Sequence, residues 1–176
     1  MMTTALVLGG ARSGKSAYAE RLVEESGLTP VYVATCPPSQ NDAEMRERIA
    51  AHQARRGPAW RTVEEPIALA AVIAREAAPE HALLVDCLTL WLSNILFAEE
   101  DLAARTRELC AALSSAKGPV IFVSNEVGLG IVPDNALARR FRDAQGRLNQ
   151  EIARSAELVV FMAAGLPLAL KGQLPS

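Results

Sequence analysis

The chain is poor in the residues that would tie it to a metal cluster, a membrane or an oxidising compartment. It has three cysteines, Cys36, Cys87 and Cys110, an odd count without CxxC spacing that argues against a disulfide framework and against a zinc motif. Cys87 and Cys110 stand in apolar segments, where a reduced thiol behaves as a small hydrophobe, which suits the cytoplasm. No strong charge of either sign is present: 18 lysines and arginines face 20 acidic residues, a net charge of -2. Nucleic acid and anionic membrane are therefore not the expected partners, and a small molecule is. The longest apolar stretch, residues 159–170, is broken by Gly165 and Pro167 and is too short to span a bilayer. The first residues lead straight into an apolar strand, leaving no room for a cleavable signal. Repeats, low-complexity tracts and linkers are absent, and 176 residues with 50% hydrophobic content fit one domain, 1–176, around one good core.

What is present begins at residue 9. Gly9-Gly10-Ala11-Arg12-Ser13-Gly14-Lys15-Ser16 fits the phosphate-loop pattern G-x-x-x-x-G-K-[ST] in full and follows the strand-like run 4–8, the context that pattern requires. Glycines let successive backbone N–H groups turn inward around a phosphate, and a helix starting near Lys15 aims its positive end at the same charge. Lys15 is expected to reach the β- and γ-phosphates of ATP or GTP, and Ser16 to hold Mg2+. The plainer alternative is a Gly-rich turn between a strand and a helix.

Apolar, β-rich runs at 4–8, 31–35, 82–86, 119–124 and 158–163 alternate with helical stretches, which predicts a mostly parallel α/β sheet, covered on both faces, of the phosphate-loop three-layer kind. Helices are expected over 15–26, 42–55, 67–77, 88–97, 101–114 and 135–153. After the last parallel strand, Ala164-Gly165 is expected to turn the chain so that 166–171 adds an antiparallel edge strand.

Three constellations carry chemistry. Asp86 ends an apolar strand, which places an acid at the carboxyl edge of the sheet beside the phosphate loop, as a Mg2+ ligand or as a cap of the next helix. His52 is one of two histidines, the other being His81. On the helix expected at 42–55 it lies near Arg48, Arg55 and Arg56, whose like charge disfavours imidazolium. The result is a neutral nucleophile flanked by phosphate clamps, or else a solvated surface residue. His81 lacks such neighbours and is read as structural. Finally, Asn125-Glu126-Val127-Gly128-Leu129-Gly130-Ile131-Val132-Pro133 follows a strand directly, so Asn125 and Glu126 are candidate substrate-loop residues, the alternative being a turn shaped for backbone reasons. Arg139, Arg140, Arg142, Asp143 and Arg147 read as a solvated or subunit-facing helix side, and Trp91 and Phe97 as core.

These pieces form a set. GGARSGKS, Arg48-Ile49-x-x-His52 followed by Trp60-Arg61-Thr62-x-Glu64, Asp86-Cys87-Leu88-Thr89 with Asn94, and NEVGLGIVP leading to Leu137-Ala138-Arg139-x-Phe141-Arg142-Asp143 resemble the bifunctional adenosylcobinamide kinase and adenosylcobinamide-phosphate guanylyltransferase family over nearly the whole chain. The resemblance implies phosphorylation of adenosylcobinamide, then transfer of GMP from GTP to the phosphate, with pyrophosphate released. It implies a guanylylated histidine, here His52, and a homotrimer. It further implies that residues Gly9 to Ser16 cradle the nucleotide, that Thr35, Cys36 and Pro37 line the loop after the second strand, and that Arg56, with Arg55 beside it, Glu64 and Asp86 contact GTP or its metal. The competing readings are a phosphate-loop kinase of another alcohol, without nucleotidyl transfer, and a regulatory GTPase, against which stands the lack of an N-K-x-D guanine-reading motif.

Overall fold

The computed structural model describes residues 4–36 and 56–175. The helix expected at 42–55 therefore lies outside the described residues. The strands are β1 (Thr4–Gly9), β2 (Thr29–Ala34), β3 (Arg61–Glu64), β4 (His81–Asp86), β5 (Val120–Asn125), β6 (Leu158–Ala163) and β7 (Leu166–Lys171). Between them run α1 (Lys15–Glu25), α2 (Leu69–Glu76), α3 (Leu88–Phe97), α4 (Leu102–Ser115) and α5 (Ala136–Ser155). One sheet results, in the order β3-β2-β4-β5-β1-β6-β7. All its pairings are parallel except β6 with β7.

The continuous apolar strands are explained by two cores. Leu6, Leu8, Leu83, Val85 and Phe122 pack on one face with α2, α3, α4 and α5. Ala5, Val7, Leu84, Ile121 and Val123 pack on the other with Tyr18, Ala19, Leu22 and Val23 of α1. Successive residues of a strand point to opposite faces, so a strand covered on both sides needs apolar residues at every position. Helix ends follow local chemistry. Asp101 accepts hydrogen bonds from the N–H groups of Ala103 and Ala104 at the start of α4, and Asn135 from Ala138 at the start of α5; both satisfy donors that a helix start leaves over. The β6–β7 connection is Ala164-Gly165, both at positive φ, which the tight two-residue hairpin turn demands. Among the described residues no helix is long and apolar enough to cross a membrane.

One strand is added and one expectation is corrected. β3 was not foreseen, because Arg-Thr-Val-Glu has one apolar residue in four and its place at the sheet edge needs no more. It is held by parallel pairing with β2 and by the Arg61 guanidinium, which donates to the Glu76 carboxylate at the end of α2. Phe97, read as core, is 74% exposed, whereas Trp91 is 1% exposed and donates from Nε1 to the Ile67 carbonyl at 2.7 Å. Six positions along a helix turn it through about 600°, which carries Phe97 well away from the buried face that holds Trp91 and Ile95.

Glu76 is 8% exposed, and hydrogen bonds from Arg61, then Arg75, pull its carboxyl down to about 2. A carboxyl depressed in the folded state stabilises above its unfolded value and loses that contribution as pH falls through the folded one. Denaturant unfolding of the wild type is thus expected to show stability declining from about pH 5 to about pH 2, and Glu76→Gln to flatten that decline. An unchanged slope would show that the pair contributes nothing.

Candidate active site

β1 ends at Gly9, opposite Asn125 on β5 and Met162 on β6. A Cβ at Gly9 would lie 2.5 Å from Ser13 Oγ and 2.8 Å from the Met162 carbonyl oxygen, so only glycine fits where the loop folds back. Gly14 has φ +93°, a conformation that L side chains rarely adopt. It opens α1 without a capping side chain, leaving the helix's first N–H groups facing the loop. The loop is braced from outside: Gly165 in the β6–β7 turn donates to the Ser13 carbonyl at 3.1 Å. Lys15 Nζ donates to the Gly10 carbonyl at 2.8 Å, so its ammonium lies back over the loop. Ser13 is 9% exposed, and its Oγ has no hydrogen-bond partner among the described residues. A buried hydroxyl donor without a partner, in a loop that leads into a helix N-terminus, suits an anionic ligand.

Register sets out the rest of the edge. Glu64, Ala34 and Asp86 are direct partners across β3, β2 and β4, and Asp86 is paired in turn with Val123 on β5. Glu64 and Asp86 thus stand in one row two strands apart, about 10 Å at the usual strand spacing. Glu64 is exposed and Asp86 half-buried. The residue flanking α3 is Cys87, without a side-chain cap, so Asp86 is not that helix's cap residue. On the α1 face, the Arg56 guanidinium stacks 3.4 Å from the centre of the Tyr32 ring. Burial, then the Asp86 carboxylate, pushes the Tyr32 phenol well above its usual range, with Arg56 acting in the opposite sense. Burial, then Asp86, likewise raises the Cys87 thiol to about 12, which makes it an inert wall rather than a nucleophile. Arg56 and Asp86, distant in sequence, both act on Tyr32 here.

The loop after β2 has a structural task. Thr35 is fully buried; its Oγ1 accepts from the Cys87 N–H and donates to the Cys87 carbonyl, both at 2.8 Å. Asn94 Nδ2 then holds the carbonyls of Thr35 and Pro66 at 2.8 and 2.9 Å. Thr35 is the floor under the Asp86 end, and Cys36 beside it is half-buried. Pro37, His52 and Arg55 lie outside the described residues. His81 is at the opposite, amino edge, bonded to the Glu76 carbonyl.

The Asn125–Glu126 segment adjoins the phosphate loop directly. Glu126 N–H donates to the Gly9 carbonyl at 3.2 Å, Asn125 N–H to Thr89 Oγ1 at 2.9 Å, and Asn149 Nδ2 to the Asn125 carbonyl at 3.2 Å. Asn149 belongs to a buried network with Ser124 and Gln145 that the sequence reading missed; its signal was two polar residues at i, i+4 inside the apolar stripe of α5. Arg139, on the helix side read as solvated or subunit-facing, also donates from Nη1 to the Pro133 and Asp134 carbonyls, both at 2.8 Å, closing the loop onto α5. A separate cavity of about 640 Å³ between α4 and α5 takes no residue from the phosphate loop. Among the described residues no group of three or more His, Cys, Asp or Glu could hold a metal, but Ser16 and Asp86 offer the few hard oxygens that Mg2+ takes alongside phosphates and water.

Fold and site define a phosphate-loop α/β protein whose Gly9–Ser16 loop stands at the carboxyl edge of the sheet. The profile of one family, cobinamide kinase / cobinamide phosphate guanyltransferase, matches residues 5–170. The bifunctional adenosylcobalamin biosynthesis protein CobP of Pseudomonas aeruginosa is 52% identical over 170 residues, covering 96% of this chain and 97% of that protein. The CobU proteins of the same description from Salmonella typhimurium and Escherichia coli are 41% and 38% identical over 182 residues, each covering 94% of this chain and 98% of theirs. The chain belongs to the cobinamide kinase / cobinamide phosphate guanyltransferase family. Among solved structures, the P4 protein from bacteriophage phi6 in complex with ADP matches with a TM-score of 0.49 at 14% identity, covering 94% of this chain and 52% of that one, a likeness too loose to argue from.

Two substitutions separate contact from support. Gly9→Ala forces a methyl against backbone and is expected to weaken GTP binding at least about tenfold, read by titration with a fluorescent GTP analogue. Thr35→Val leaves the Cys87 N–H without its partner, while the Cys87 carbonyl keeps the Trp91 N–H at 3.1 Å, and is expected to lower unfolding free energy by about 1–3 kcal/mol, read by urea denaturation. A Thr35→Val protein of wild-type stability would remove Thr35 from the supports of the site.

Proposed function

We propose that this chain phosphorylates the terminal hydroxyl of adenosylcobinamide with ATP or GTP and then converts that phosphate to a GDP ester with GTP, releasing pyrophosphate. The observation that carries the reading is the uncapped, glycine-shaped loop of Gly9 to Ser16 beside the Glu64–Asp86 row, in a chain of this family. In the first step the loop N–H groups and Lys15 hold the β- and γ-phosphates. The substrate hydroxyl attacks the γ-phosphorus, loses its proton and displaces the nucleoside diphosphate. Ser16 and Asp86 would hold Mg2+, which supplies positive charge against the phosphate oxygens.

In the second step His52 is the nucleophile. With arginines at 48, 55 and 56 in the sequence around it, the neutral imidazole that nucleophilic attack needs is the expected form, because like charge disfavours imidazolium. A ring nitrogen attacks the α-phosphorus of GTP, the bond to the bridging oxygen breaks, and pyrophosphate leaves. An oxygen of the cobinamide phosphate then attacks the phosphoramidate and the imidazole departs, so one difficult displacement becomes two easier ones. Arg56, held on Tyr32, and Glu64 are assigned to the nucleotide. The assembly is proposed as a homotrimer working in the cytoplasm, in line with the resemblance and with three cysteines that form no disulfide.

Intact-mass measurement after incubation with GTP and Mg2+ tests this. Wild type is expected to gain one acid-labile GMP, and His52→Ala none. Wild type that gains no GMP, with GTP merely hydrolysed, would leave a simple kinase.

A further inference from the structure

The segment after Glu126 is unusual for a surface loop. Within eleven residues it exposes Val127 at 36%, Leu129 at 81%, Ile131 at 96%, Val132 at 65% and Leu137 at 67%. Single exposed apolar residues need no explanation, but a run of five does. The loop is held at both ends. At its start, Thr89 and Asn149 grip the Asn125 backbone, and Glu126 N–H bonds to the Gly9 carbonyl. At its end, Arg139 takes the Pro133 and Asp134 carbonyls and Asn135 caps α5. The Glu126 carboxylate is turned back onto the Gly128 N–H at 2.7 Å, so the one charge at the start of the patch is engaged within the loop. The hydrophobic side chains therefore stand on a braced backbone that starts at the phosphate loop itself.

We infer that this loop is the platform on which the acceptor's macrocycle lies, with Leu129 and Ile131 beneath the ring and Val127, Val132 and Leu137 at its margin. The inference rests on the functional reading above and specifies it. An acceptor whose hydroxyl must meet a γ-phosphate at the Gly9 loop has to cross the carboxyl edge there, and the loop is continuous with that edge through the Glu126–Gly9 hydrogen bond. A corrin is a broad ring fringed by methyl groups and amide arms. It calls for an apolar floor with backbone amides around it, and residues 127–133 belong to no helix or strand, so that, beyond the Gly128 N–H and the Pro133 carbonyl bonded to Glu126 and Arg139, their backbone groups are not committed to a helix or strand ladder. Continuity with the phosphate loop favours the acceptor over a second copy of the chain, which would have no need to contact the reacting edge.

The test uses the full chain and the double variant Leu129→Ser/Ile131→Ser, both positions being exposed enough for the fold to be retained. The KM for adenosylcobinamide in the kinase step, its equilibrium binding, the GMP adduct formed with GTP alone, and the mass in solution are measured together. The expected result is a KM and a dissociation constant for adenosylcobinamide raised at least about tenfold, since each large side chain contributes by burial, with adduct and assembly as in wild type. A dissociation constant within about twofold of wild type overturns the inference, as does a changed subunit number with loss of the adduct, which would assign the patch to a second copy. Wild type that forms no GMP adduct, yet binds adenosylcobinamide through these leucine and isoleucine side chains, overturns guanylylation alone and upholds the platform.

Discussion

The parallel pairing of β1 on both of its sides is the constraint from which the rest of the structure follows. β5 and β6 flank it in register, so that Gly9 meets Asn125 on one side and Met162 on the other. With Ala5, Leu6 and Val7 fully buried, a slip of one residue would exchange the two faces of the strand and empty both cores, so the register is strongly specified. Because the neighbours run parallel, their carboxyl ends reach one edge together. The phosphate loop, Asp86, Glu64 and Asn125 are brought to that edge by strand direction, before any contact between their side chains is considered.

Strand direction delivers the loops but does not orient them; buried polar side chains do that. Thr35 joins the end of β2 to Cys87 after β4, Asn94 ties Thr35 to Pro66, and Thr89 with Asn149 fixes Asn125. These bonds engage backbone groups at the loop ends, the Cys87 N–H among them, whose burial is costly without a partner, so each loop has one favoured position. The β6–β7 turn contributes in the same way through Gly165 and Ser13. The antiparallel edge hairpin is thus a buttress of the phosphate loop as well as a border of the sheet.

Electrostatics at the edge divides the groups by task. Cys87, buried beside Asp86, is held in its thiol form, and Tyr32 is kept as a neutral phenol that serves as a stacking surface for Arg56. Neither competes with the loop for a phosphate. In the proposed function Lys15 and Arg56 serve the phosphates, and Ser16 and Asp86 the metal.

The phosphate loop, the alternation of strands and helices and the antiparallel edge were legible in the sequence, because each is encoded locally: glycine spacing, continuous apolar runs, and a two-residue turn with Gly165. β3 was not, since an edge strand of four residues with one apolar side chain is held by its partner strand and by Glu76, neither of which is adjacent in sequence. Thr35 read as a residue of the nucleotide loop, but only the fold shows its hydroxyl bonded to Cys87, 52 positions away. Arg139 read as one arginine among several on a helix side, and Gln145 and Asn149 were passed over; their partners on the Asn125 loop and β5 come near only when α5 packs on the sheet. By itself the sequence determined the glycine-shaped loop at residues 9–16 and which kind of sheet would carry it, because those features depend on backbone conformation and hydrophobic period. Which distant groups stand at the edge with that loop was decided by tertiary structure alone, since contacts between Arg56 and Tyr32, Glu126 and Gly9, or Thr35 and Cys87 exist only once parallel strands have been set in register.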